Sequence, residues 1–351
     1  MIKKLQHVYL DTIASYIPSG RITVDTIAQT YQEDGASISS SLGLYQKSIA
    51  NWDEDAITMA IMAAGRALAG SNYAKNQIGA VLMGSESHPY AVKPSGSIVA
   101  SWLGLSPHYF CADLEFACKA GTSGLQIGSG LVEAQMIKAA LIIGSDKAQS
   151  QPSDVLEYAA ASAAVALIIG CRPGRAKVVA TSSYATDTPD FWRRPEQIFP
   201  QHAGRFSGEP GYFHHIESNL AYFLQKTKAK LDDFDHIVFH MPNGKFPLKL
   251  AQKLKINSKQ LEAGFTVKDI GNPYSASSLL GLCRTLAFAK KGQNILLASY
   301  GSGAGSDIIW FNVLKNGTKQ EQEAFTKQIN QTKQLSYDQY LQAMGILERN
   351  L

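Results

Sequence analysis

Short, almost wholly apolar runs punctuate the chain at residues 78–83, 139–143, 163–169, 236–239 and 295–299, and their length predicts buried strands. Between them apolar residues recur at helical spacing. Ile57, Ala60, Ile61, Ala64 and Leu68 mark a helix from about 51 to 69, with acids at its amino end, where the helix dipole favours them. Further helices are predicted near 98–103, 121–137, 212–230 and 247–255, and as a small-residue helix running to Ala289. Residues 5–30 read as strand, loop and helix. Residues 184–210 carry four X-Pro steps and predict an ordered excursion over a site.

The pattern repeats. Val81 in a strand, Cys118 at a helix start and Gly144 after the next strand are spaced by 37 and 26 residues. Val238, Ser275 and Gly301 show the same two intervals, offset by 157. A duplicated α/β unit is the simplest account, with the catalytic loops of the two halves meeting at their interface. The stretch from Cys171 to Arg175, interrupted by Pro173 and Gly174, divides the halves. The domains expected are therefore 1–172, 173–315 and a polar extension, 316–351, read as a surface or partner-contact segment.

Composition narrows the function without choosing it. With 351 residues and 45% hydrophobic content the chain can bury a large core. A net charge of +4 without a Lys/Arg block argues against nucleic acid, and the broken apolar stretch at the amino end argues against a membrane span, so a cytoplasmic protein is expected. The four cysteines have no metal-type or disulfide-framework spacing, so neither metal nor cofactor is expected.

One cysteine stands apart. The run 109–117 alternates as a strand should and ends at Cys118, after which small residues open a helix. Unpaired N–H groups and the positive helix end would there favour a thiolate, making Cys118 a candidate nucleophile. Loops at the carboxyl ends of buried strands add Glu86 and His240 to the residues of interest.

The segments Gly84-Ser-Glu-Ser-His-Pro-Tyr-Ala-Val-Lys-Pro94, Leu114-Glu-Phe-Ala-Cys-Lys-Ala-Gly121, Thr186-Asp-Thr-Pro-Asp-Phe-Trp-Arg-Arg-Pro195, Pro242-Asn-Gly-Lys-Phe-Pro247 and Tyr300-Gly-Ser-Gly-Ala-Gly-Ser-Asp307 resemble archaeal-type hydroxymethylglutaryl-CoA synthase of the thiolase superfamily. The resemblance implies a thiolase-like α/β fold of duplicated αβαβα halves with two central mixed sheets. It implies condensation of acetyl-CoA with acetoacetyl-CoA in the mevalonate route. Cys118 would carry the acetyl group, Glu86 would act as general acid/base, and His240 would bond the acetoacetyl thioester. Asn272, Ser302 and Ser207 would contact substrate. Arg205, Lys245 and Lys249 would hold coenzyme A, which enters as substrate. His88 and Lys119 receive no catalytic role. A homo-dimer or tetramer is implied, with a complex of a thiolase and a small oligonucleotide-fold protein as further partners. Two alternatives stay open: a ketoacyl synthase-like condensing enzyme using another acyl-CoA or a carrier protein, and a non-catalytic scaffold of the same fold.

Overall fold

In the computed structural model, which describes residues 2–347, the five apolar runs form the strands Ile78–Gly84, Ala139–Lys147, Ser162–Gly170, His236–Phe239 and Asn294–Gly301. In the first half Tyr9–Tyr16 runs antiparallel to Ser162–Gly170, which runs antiparallel to Ala139–Lys147; Ile78–Gly84 and Phe110–Leu114 follow in parallel. The second half repeats this plan. Ala176–Ala185, Gly305–Val313 and Asn294–Gly301 are successively antiparallel, and His236–Phe239 then pairs in parallel.

The two mixed sheets are joined. Tyr9 and Leu10 pair with Lys177 and Ala176, so the halves form one continuous ten-stranded sheet among the described residues. Pairing satisfies backbone groups that two free inner edges would leave open. Strand Ile2–Lys4 also crosses over to pair with Ala176–Ala185 of the second half.

Alternation along the strands produces the layers. Leu82, Ile142 and Leu167, with Val238, Leu297 and Ile309 of the second half, face one central core shared by Leu125, Leu279 and Leu282. Val81, Ile143 and Ile168 face away, against helix Ala56–Ala69. Ile237, Leu296 and Ile308 likewise face Phe223 and Leu250 of helices Phe213–Thr227 and Lys245–Lys253. The two helices enclosed at the centre are Ala120–Glu133 and Ser277–Phe288. The first ends four residues before the expected Ile137, where Gln135 adopts a left-handed φ of 59°.

Close approach at the centre explains its small residues. A Cβ on Gly144 would lie 2.6 Å from the carbonyl oxygen of Ser275, and one on Gly301 would lie 2.6 Å from that of Phe116. Each half's strand end thus rests on the other half's helix start.

The polar extension is not a free surface segment. It contains helices Lys319–Asn330 and Tyr337–Ala343, which bury Phe325 and Tyr340 against the body. Tyr337 donates to buried Glu157 at 2.9 Å, and buried Lys47 donates to the Tyr340 hydroxyl at 3.2 Å. Residues 348–351 of the extension lie outside the described residues. No helix among the described residues is long and apolar enough to cross a membrane.

Candidate active site

Cys118 sits in a single 3-10 turn, Ala117–Lys119, between strand Phe110–Leu114 and helix Ala120–Glu133. Ala117, immediately before it, has φ 42°, a left-handed value that a side-chain-bearing residue adopts at a cost. The second half repeats this geometry at the 157-residue offset. Tyr274 has φ 38°, and Ser275 occupies the matching turn before helix Ser277–Phe288. Packing at Gly301 and Gly144 holds the two strained turns from the opposite halves.

The environment of Cys118 corrects the expected thiolate. Burial, then the nearby Glu86 carboxyl, push its thiol well above the usual cysteine range, so the resting group is S–H. Desolvation outweighs the helix end. The two groups lie close enough that each acts on the other's protonation. Glu86 is itself pushed up to about 8, first by burial and then by Asp146, while Cys118 and Arg193 oppose the rise. Its Oε1 is buried without a partner among the described residues, leaving an acceptor for a bound group.

Asp146, which received no role from the sequence, ties the two halves together. One carboxylate oxygen accepts from the Glu86 N–H at 2.8 Å and from the Ser85 and Ser87 hydroxyls at 2.8 and 2.7 Å. The other accepts from the N–H and hydroxyl of Ser275 at 2.8 and 2.6 Å. Five bonds to one fully buried carboxylate fix the Glu86 loop relative to the second half.

His240 closes strand His236–Phe239, its N–H donating to Ala298 at 2.8 Å. Burial lowers its pKa to about 3, so the imidazole is neutral, and its Nδ1 is a buried atom with no partner among the described residues. Tyr212 donates to the His240 carbonyl at 2.7 Å, and the rings of Tyr212 and Tyr300 stand 6.5 and 6.4 Å away. Asn272 is held by its backbone to Ala159 and Ala161, and its side-chain oxygen accepts from the Tyr274 N–H at 3.1 Å.

A cavity of about 490 Å³ opens above these groups, lined by Glu86, Ala117, Phe191, Arg193, Tyr274 and Ser302 among others. Cys118, His240 and Asn272 lie buried outside that lining. The proline-rich excursion does cover the site. Asp190 anchors it, accepting from Tyr300 at 2.7 Å and from the Gly303 N–H at 2.8 Å, and Thr188 N–H bonds the Gly303 carbonyl at 2.7 Å. Asp154 pairs with His202 at 2.9 Å from the opposite side.

Two residues without an assigned role proved structurally committed. Lys119 is buried, pairs with Asp307 at 3.2 Å and donates to Ser123 at 2.7 Å. His88 lines the cavity while its Nδ1 bonds Ser95 at 2.8 Å. Asp146, Asp190 and Tyr300 could not be singled out from the chain, since only convergence in space distinguishes them from ordinary loop acids and core tyrosines.

The remaining predicted contacts stand apart from this cavity. Arg205 and Lys249 are exposed on the second half, over the rings of Phe206 and Phe213 at 4.4 and 5.3 Å. Lys245, also exposed, begins the helix of Lys249, and Ser207 begins the turn leading to Phe213. Contact between Phe213 and Phe246, with centroids 5.4 Å apart, brings these two segments together.

Comparison with known proteins gives a consistent picture. Residues 224–311 match the family model for the C-terminal part of 3-oxoacyl-[acyl-carrier-protein (ACP)] synthase III. A hydroxymethylglutaryl-CoA synthase from Archaeoglobus fulgidus is 52% identical over 299 residues, covering 85% of this chain and 87% of that protein. One from Methanocaldococcus jannaschii is 46% identical over 310 residues, covering 88% and 90%. Among solved structures, an HMG-CoA synthase complexed with CoA superposes with a TM-score of 0.87 at 26% identity, covering 97% of this chain and 90% of that one.

Proposed function

We propose, from the premise that this chain belongs to the hydroxymethylglutaryl-CoA synthases, that it condenses acetyl-CoA with acetoacetyl-CoA through an acetyl group carried on Cys118, in the mevalonate route. The observation that carries this reading is the buried juxtaposition of Cys118 and Glu86 at the strained helix start.

Attack of Sγ on acetyl-CoA passes the thiol proton to Glu86, which returns it to the departing CoA thiolate. Glu86, again a carboxylate, removes a proton from the acetyl methyl; the carbanion adds to the acetoacetyl ketone, and the alkoxide takes the proton back. A pKa near 8 suits a group that must accept and return a proton at each step. Neutral His240 donates a ring hydrogen bond to the acetoacetyl thioester, and Asn272 orients its carbonyl. The N–H groups of Cys118 and Ser302 stabilise developing negative charge. Water then hydrolyses the Cys118 thioester.

Arg205, Lys245, Lys249 and Ser207 are assigned to coenzyme A and substrate, since they gather on one exposed face beside the Phe213–Phe246 contact. Strand Phe110–Leu114 is an outer edge of the sheet, with Phe110 54% exposed and Trp102, on the helix packed against this strand, 75% exposed, which supports a homo-oligomer through that edge. A thiolase and a small oligonucleotide-fold protein remain the proposed further partners.

The deciding experiment treats the protein with acetyl-CoA and weighs the Cys118 peptide. An acetyl adduct that disappears on adding acetoacetyl-CoA, with formation of hydroxymethylglutaryl-CoA, is expected. Absence of the adduct overturns the reading.

A further inference from the structure

The cavity has a charge problem that the reaction itself creates. Glu86 and Glu115 line it, and Asp146 lies behind Glu86 with a field strong enough to raise that carboxyl. The thioesters that enter carry no charge at their reacting ends. Hydrolysis of the Cys118 adduct ends otherwise. Water oxygen adds to the thioester carbonyl carbon while one water proton passes to the Glu86 carboxylate. The carbon–sulfur bond then breaks, and Sγ leaves with the electron pair and recovers that proton from Glu86. The carboxylic acid so formed loses its own proton to solvent, leaving a new anion among acids.

Arg193 is the single Lys or Arg among the described residues lining this cavity. It follows strand Phe191–Trp192, which pairs with Gln201–His202. Asp190, three residues earlier, is fully buried and bonded to Tyr300 and to the Gly303 N–H, so the stem of the hairpin is fixed to the floor of the site. Phe191 packs edge-on to Tyr274, with centroids 6.1 Å apart. Among the described residues the Arg193 guanidinium makes one long bond, to the Gln197 carbonyl at 3.3 Å. Its charge nonetheless acts on Glu86, opposing the rise of that carboxyl. The anchored hairpin therefore presents a cation with unused donors to the cavity that Glu86 lines, over the buried Cys118.

We infer that Arg193 binds the carboxylate released from Cys118, holding the product's acid end by a charge-assisted, forked hydrogen bond. This rests on the reading under Proposed function. The guanidinium discriminates product from substrate at the acyl end and leaves the shared coenzyme A portion to other residues.

The test compares two CoA thioesters that differ in that carboxylate. In wild-type enzyme, R193Q, R193K and the neighbouring R194Q, one measures the inhibition constant of hydroxymethylglutaryl-CoA, the KM for acetoacetyl-CoA, and the acetyl adduct on Cys118. R193Q is expected to weaken product inhibition by about tenfold or more, the loss of one charge-assisted pair, while the KM changes less than about threefold. R193K recovers part of the effect because it keeps the charge and loses the fork. R194Q behaves as wild type, and the adduct forms in all four proteins. An unchanged product constant in folded R193Q overturns the inference. So does an equal rise in both constants, which would place Arg193 on coenzyme A. Failure of the wild type to form the adduct instead defeats the underlying reading, so the two failures are distinguishable.

Discussion

Two turns of nearly the same shape, 157 residues apart, have opposite chemistry. Both follow a residue with left-handed φ, and both begin a buried central helix. Ser275 in the second half has its N–H and hydroxyl occupied. Its N–H and hydroxyl bond Asp146, and the hydroxyl also bonds the Gly84 carbonyl at 2.9 Å. Cys118 in the first half lies beside the Glu86 carboxyl, one oxygen of which has no hydrogen-bond partner among the described residues. One copy of the duplicated turn is a clamp and the other the proposed reactive centre. The difference lies in partners, since the backbone is shared.

Substitutions at the paired positions test this contrast most strongly. C118A is expected to lower turnover by about 10⁴-fold or more, as removal of a covalent nucleophile does, with a melting temperature close to wild type. S275A is expected to reverse the profile. Losing bonds to a buried carboxylate destabilises the fold by about 1–3 kcal/mol while the acetyl adduct still forms. Calorimetry together with peptide mass spectrometry reads both, and a stable, inactive S275A without adduct would break the comparison.

Glu86 comes next. E86Q should reduce turnover by about 10²–10⁴-fold, the range for a positioned acid/base. It should also change how stability depends on pH. A carboxyl raised from 4.5 in the unfolded chain to about 8 in the fold binds more protons when folded, so wild-type stability is full below pH 4.5 and declines as pH rises through 8. E86Q should lack that decline in melting temperature across this window.

D146N sharpens the link between the turns with a smaller effect. Removing the Asp146 charge relieves the repulsion on Glu86, so the Glu86 pKa falls and the acid limb of the rate profile moves to lower pH. A limb that moves upward would contradict the assignment. The smallest effect is expected at the extension. Y337F removes the hydrogen bond to Glu157 and the contact with the Tyr31 hydroxyl, and should cost about 1 kcal/mol with little change in turnover, read by denaturant titration.

The strands around Val81, Leu141, Val238 and Leu296 were legible because each is a short apolar run that must be covered on both faces. The central helices were legible from small residues following Cys118 and Ser275. The shared inner edge of the sheet was not, since Tyr9 and Leu10 read like any strand start and their pairing with Lys177 and Ala176 depends on where the halves lie. Lys119 looked like a surface charge because its partner, Asp307, is remote in sequence. Resemblance supplied the roles of Glu86 and His240; residue type alone would have left each an ordinary loop acid and a core histidine.

The sequence by itself determined the duplicated frame, the family and the nucleophile's place at a helix start, because hydrophobic period, small residues and local motifs are written within short stretches of chain. Only the tertiary structure decided the protonation state of that cysteine. Burial removes the water that would stabilise a thiolate, and the Glu86 carboxyl beside it raises the thiol further. The Asp146 clamp, the fixed excursion and the placement of Arg193 at the cavity likewise depend on distance in space. Electrostatic energies follow that distance and local polarity, neither of which is fixed by position along the chain.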